Sequence, residues 1–189
     1  MKREHFKPGN MLYPLPAVMV SCQRPGEKPN ILTVAWAGTV CSQPPMISIS
    51  VRPERYSHAI IAETGEFVVN LTTEALAKAT DYCGVASGRD VDKYQKMGLT
   101  PLAMEGVSAP GIAESPVCIA CKVKERKLLG SHEMIVAEVV DVSVDASYLD
   151  EKGRFDLNAA GLLAYSHGTY FALGKKLGTF GCSVRKKRR

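Results

Sequence analysis

No apolar run in this chain of 189 residues approaches the roughly 20 residues needed to cross a bilayer. The polar start Met1-Lys2-Arg3-Glu4-His5 is followed by no signal-peptide h-region, so a cytoplasmic address is expected and a membrane is not among the expected partners. No GxGxxG follows a strand and there is no Walker glycine loop, which sets aside a Rossmann dinucleotide site and a P-loop. GxSxG is missing too, and nothing marks a Ser-His-Asp hydrolase. Cys118 and Cys121 form a CxxC, but no second CxxC or nearby His pair completes a zinc site. In VCIACKVKE, read as a strand, residues three apart face opposite sides, so the two sulfurs diverge. No metal site is expected, and the six cysteines of a cytoplasmic chain are expected as thiols.

Excess charge is also lacking in the body of the chain. The formal net charge of +5 resides in Arg185, Lys186, Lys187, Arg188 and Arg189; without these five, the 24 basic residues become 19, equal to the 19 acidic ones. The basic tail over residues 183–189 reads as a solvated end, which argues against a nucleic-acid partner. A non-enzymatic β-barrel that binds nucleic acid through this tail is the rival reading, and it predicts salt-sensitive binding.

The chain is long enough for one sizeable core and too short for two ordinary domains with a linker, so residues 1–189 are read as a single domain. Its 46% hydrophobic and 23% charged residues match a soluble globular protein. Strands are predicted over Ala17 to Cys22, Ile31 to Val40 and Met46 to Arg52, the first two joined in a hairpin through the turn residues Gln23 to Asn30. In the third, Ile47, Ile49 and Val51 face one way and Met46, Ser48, Ser50 and Arg52 the other. Ser57 is read as the N-cap of a helix over His58 to Thr64 that Gly65 terminates. A strand over Phe67 to Leu71 follows, then a helix from Thr72 or Thr73 to near Gly84, and a short one over Asp90 to Met97 ending at Gly98. Thr100 to Pro116 is too broken for regular structure, apart from a short strand at Leu102 and Met104. The longest strands, Val117 to Leu129 and Met134 to Val144, meet at Gly130-Ser131-His132, and a last strand lies near Thr169 to Leu173. Many short strands, few helices and no strand–helix alternation predict a mainly β fold, an antiparallel β-barrel with attached helices.

The stretch Ile31 to Ser57 combines the only tryptophan, Trp36, with Arg52, Arg55, Tyr56 and Ser57. A helix start beside guanidinium groups is a phosphate site or, more plainly, a capped helix with exposed charges. The loop Ser87-Gly88-Arg89-Asp90, with Lys93, is a second candidate for anion contact. Trp36 among Ala35, Ala37 and Gly38 leaves backbone exposed along a slot for a planar ligand, or it is simply core. His132 at a strand end is either a donor to a developing charge or a turn histidine with one backbone bond.

Together the motifs TVAWAG at 33–38, PPMISISVRPERYS at 44–57, GEFVVNL at 65–71, CGVASGRDVDKY at 83–94, GSH at 130–132 and GTYFALGKKLGTFG at 168–181 resemble the flavin reductase-like, FMN-binding split-barrel family, and within it the flavoredoxin branch. The resemblance implies a six-stranded antiparallel split barrel of Greek-key type that forms a homodimer, with FMN near the subunit interface. It implies that the isoalloxazine lies against the backbone of Thr33, Val34, Ala35, Trp36 and Ala37. Arg52, Tyr56 and Ser57 would meet the ribityl and phosphate region, with Ser87, Gly88 and Lys93 as further contacts, and His132 would stand near the reactive face as the catalytic residue. The implied function is electron transfer through FMN, as a flavoredoxin served by a redox partner protein or as an NAD(P)H-dependent flavin reductase drawing on NADH or NADPH. Reductases of two-component monooxygenases in this family often carry an acidic residue before that histidine and serines in place of Trp36-Ala37-Gly38. Here the preceding residue is Ser131, and the tryptophan points to the carrier branch.

Overall fold

The computed structural model describes residues 2–184; the basic run Arg185 to Arg189 lies outside them. A short β1 (Leu15–Pro16) leads into β2 (Val18–Cys22), which pairs with β3 (Asn30–Val34) as the predicted hairpin, Val18 opposite Val34. Alternation then sorts the side chains. Val18, Val20 and Cys22 of β2 enter the barrel core with Leu32 and Val34 of β3, whereas Met19 and Ile31 point outward into a second cluster beneath the helices.

The predicted strand Ile31 to Val40 is two strands. β3 stops at Val34, Ala35 and Trp36 form a bend, and β4 (Ala37–Ser42) pairs with β5 (Pro45–Val51). The main sheet has seven strands, one more than the resemblance implies. With β6 (Glu66–Asn70), β9 (Val117–Leu129) and β10 (His132–Val144), its order is β3-β2-β6-β9-β10-β5-β4. β3 and β4 are therefore its two edges, yet only two residues separate them. Val34 and Ala37 can stand at most about 10 Å apart, so the sheet must curl until its edges meet. At the bend the Trp36 carbonyl accepts a hydrogen bond from Ser50 N at 2.8 Å, which extends the β4–β5 ladder up to that seam. The result is a mainly β, antiparallel split barrel with Phe67, Ile49, Ile135 and Val20 fully buried inside.

Helices and loops close the outside. α1 (Tyr56–Thr64) ends at Gly65 in the left-handed region (φ 69°), where glycine carries no Cβ penalty. A 3-10 turn at Glu74–Leu76 precedes α2 (Ala77–Val85), and α3 (Lys93–Met97) begins three residues later than the sequence pattern suggests, because Asp92 caps it by accepting from Gln95 N at 3.1 Å. Within the irregular 100–116 stretch, β7 (Pro101–Leu102) pairs with β8 (Gly111–Ile112). Buried Asn70 ties that stretch to the barrel: its amide donates to Met19 O and Ser21 Oγ, each at 2.9 Å, and its Oδ1 accepts from Ile112 N. Cys118 and Cys121 fall in different clusters, as the strand reading requires, and all six cysteines are free thiols. β11 (Leu163–Ser166) and β12 (Thr169–Ala172) form a hairpin that pairs with β1 as a separate sheet.

Candidate functional site

The seam at Ala35 and Trp36 opens into a cleft of about 340 Å³ lined by residues 33–36 and by Arg52, Arg55 and His132, within the size range of small-molecule sites. The Trp36 and His132 rings stack at the wall, centroids 6.0 Å apart and planes 17° from parallel. Trp36 is 40% exposed, so it is not a core residue. His132 opens β10, and its Nδ1 lies 3.0 Å from Ser131 Oγ. Behind it, Glu133 bonds His58 Nε2 at 2.6 Å and Arg126 Nη2 at 2.7 Å. Burial works against the Glu133 charge, but Arg126 and His58 together hold its carboxyl below the usual range.

The opposite wall comes from α2 and the β11–β12 hairpin. Asp81, Gly84 and Val85 face Tyr165, Gly168 and Tyr170 across the cleft. A Cβ on Gly84 would stand 3.3 Å from Thr33 Cβ, so glycine there lets α2 approach β3. Thr33 Oγ1 fixes the same contact by donating to Thr80 O at 2.5 Å. Burial, and after it the charge of the nearby Asp81 carboxylate, pushes Tyr170 up. Helix and hairpin thus bring an acid and a phenol to the same mouth.

A second pocket of about 220 Å³ adjoins at the start of α1, lined by Tyr56, Ser57, Ser87, Gly88, Arg89 and Lys93 among others, and Arg55 lines both cavities. The N-cap is Arg55, not Ser57 as the sequence pattern suggests, and no side chain caps the helix. Ser57 lies inside the first turn, buried, its Oγ accepting from Asn30 Nδ2 at 2.8 Å. Arg55 Nη2 donates to Gly84 O at 2.7 Å. The first turn thus presents its backbone dipole with no side-chain oxygen over it, and cations beside it. Glu54 also lines the pocket, but it pairs with Arg52 at 3.5 Å.

Lys93 forms the floor. It is 2% exposed, and its Nζ donates to Ile31 O at 2.7 Å and Cys83 O at 2.9 Å. Desolvation brings its ammonium down to about 8 from the ordinary 10.5. Gly88 is required by packing, since a Cβ there would sit 2.1 Å from Asn30 Oδ1.

Of the residues singled out from the sequence, Thr33, Val34, Ala35, Trp36, Arg52 and His132 meet in the cleft, and Tyr56, Ser57, Ser87, Gly88 and Lys93 meet in the basic pocket. Ala37 lines neither and packs against the barrel core. The sequence pattern names Arg55 beside the helix start but not its place lining both cavities, and it does not single out Asp81 or the Tyr165 and Tyr170 pair. The aromatic spacing Tyr165-x4-Tyr170 around Gly168 was the available signal for the hairpin wall. Among the described residues no group of His, Cys, Asp or Glu is arranged to hold a metal ion, and no helix is long and apolar enough to cross a membrane.

Fold and site define a split-barrel protein whose cleft at the sheet seam adjoins a basic pocket at a helix start. The sequence pattern of the flavin reductase like domain matches residues 11–174, so the chain belongs to that family. An uncharacterized protein of Archaeoglobus fulgidus is 31% identical over 160 residues, which are 85% of this chain and 88% of that protein. The structure of flavoredoxin from Desulfovibrio vulgaris (Miyazaki F) is similar with a TM-score of 0.89 and 32% identity, over 97% of this chain and 100% of that one. Flavoredoxin from Methanosarcina acetivorans is similar with a TM-score of 0.82 and 27% identity, over 97% and 100%.

Proposed function

We propose that this chain holds FMN across the cleft and the basic pocket and passes electrons through it as a flavoredoxin-type carrier. The observation that carries the reading is the continuity of the two cavities through Arg55. A slot edged by the 33–36 backbone and an aromatic pair leads directly to a helix start without a side-chain cap, flanked by guanidinium groups. That sequence of surfaces fits a flat ring joined by a polar chain to a phosphate. Bound there, FMN would supply the redox chemistry.

The chain's own residues do the rest. Arg55 and the α1 backbone orient the phosphate, the 33–36 backbone reads the ring edge, and His132, poised by Ser131, donates a hydrogen bond or carries a proton beside it. The flavoredoxin structure that matches at 32% identity supports the carrier role, as does Ser131 in place of an acid. The stacked Trp36 and His132 also fill aromatic surface that a nicotinamide ring would need. An NAD(P)H-dependent flavin reductase is the second reading, favoured by the open cleft beside His132. Exposed Leu128, Leu129, Val140 and Val142 on the long β9–β10 hairpin support a homodimer with FMN near its interface. Free thiols throughout support a cytoplasmic setting.

The purified protein is expected to be yellow, or to become so with FMN, and to bleach with dithionite. Protein that stays colourless after incubation with FMN would sink the reading. Reduction only by a partner protein marks the carrier; rapid NADH or NADPH consumption that His132→Ala abolishes marks the enzyme.

A further inference from the structure

Alternation along β10 sends successive side chains to opposite sides. His132 goes to the cleft, and Glu133 goes to the side of Ile135 and Ala137, which enter the barrel core. α1 packs on that core with Ile60 and Ile61, and its first turn brings His58 to Glu133. There Glu133 Oε2 accepts from His58 Nε2 at 2.6 Å and from Arg126 Nη2 and Nε at 2.7 and 3.0 Å. The His58 and Glu133 side chains are each only 14% exposed. Desolvating such a pair is costly, and apolar side chains would pack this position as well; what the ionic group adds is a fixed geometry. One carboxylate joins the strand that carries His132 to the helix whose start, at Tyr56 and Ser57, lines the basic pocket. Neither Glu133 nor His58 lines either cavity, so both act through the elements they hold.

We propose that Glu133 is a positioning residue that sets the spacing between the ring end and the phosphate end of the site. The proposal rests on the flavin reading above. A ligand that binds at two linked points gains from the link only while the two subsites keep the spacing that its own chain imposes. His58 and Arg126 hold the Glu133 carboxylate, and through it the starts of α1 and β10 keep that spacing.

Calorimetric titration of the flavin-free protein with FMN and with riboflavin, and displacement of FMN by inorganic phosphate, test it. Riboflavin probes the ring end alone, and phosphate probes the helix start alone. Glu133→Ala and His58→Leu should each weaken FMN about tenfold and leave riboflavin and phosphate within about twofold of wild type. His58→Leu leaves Glu133 paired with Arg126, so no charge is stranded. Glu133→Gln, whose amide oxygen can accept from the same two donors, should retain wild-type FMN affinity. A purely structural role would instead weaken all three ligands in step with stability to urea. Variants that bind FMN as wild type does, variants that lose all three ligands alike, or FMN that phosphate does not displace from wild type would overturn the proposal, while FMN bound to wild type keeps the flavin reading in place. Wild-type protein that binds neither FMN nor riboflavin would overturn both.

Discussion

The two halves of the site differ in how their side chains are held. In the basic pocket the groups that face an anion are already bonded to the protein: Ser57 to Asn30, Lys93 to two carbonyls and Arg55 to Gly84 O. In the cleft, Trp36 stacks on His132 and is still 40% exposed, and the wall opposite is a hairpin that faces Asp81. A prearranged anion pocket meets its ordering cost at folding, so affinity should reside there. A looser aromatic wall leaves the reacting end free to adjust, so rate and partner choice should reside there.

The largest effect is expected from Lys93→Met, which leaves two buried carbonyls without their donor. The loss is about 2 kcal/mol of stability, read by urea denaturation. The same residue sets a pH dependence. Its folded pKa is about 8 against 10.5, so between these values the unfolded chain holds a proton that the folded chain has released. Stability contributed by this group rises with pH in that window. Above pH 9 the buried thiols Cys22, raised to about 12, and Cys83, raised to about 11, act in the opposite direction. The clean comparison is therefore wild type against Lys93→Met between pH 8 and 9, where only wild type should gain.

Gly88→Ala comes next. The added methyl displaces Asn30 and with it the Asn30–Ser57 bond, and FMN affinity should fall about tenfold, measured by calorimetry. Unchanged affinity would show that the basic pocket does not hold the ligand in a fixed geometry. The smallest stability effect is expected from His132→Ala, within about 0.5 kcal/mol by thermal melting, while the rate of flavin reduction changes. A stability loss as large as that of Lys93→Met would erase the contrast between the two halves.

Much of the site was legible because it is local in sequence. The slot residues 33–36 and the arginines and tyrosine of 52–56 lie within one 27-residue stretch, and their polar and aromatic character breaks an otherwise apolar pattern. Lys93 and Gly88 were visible as residues, but their work was not. No local pattern shows that Lys93 spends its donors on Ile31 and Cys83, or that Gly88 is glycine because Asn30 stands 58 positions earlier. Ser57 was misplaced as a cap for a related reason. Serine is a common N-cap, but here its hydroxyl is taken by Asn30 of β3, and the helix starts two residues earlier.

By itself the sequence determined most strands of the main sheet and their faces, because period-two alternation is fixed by the pleat whatever the strand pairs with; the short strands β1, β8 and β11 carry too few residues to show it. It also determined the thiol state of the cysteines and the divergence of Cys118 from Cys121. Only the tertiary structure decided that Ile31 to Val40 breaks at Ala35 and Trp36. Nothing local demands a bend there; closure of the sheet does, since the chain must leave one edge and join the other. That same closure opens the seam, turns Trp36 from a core residue into a cleft wall, and brings His132 against it from almost a hundred residues away.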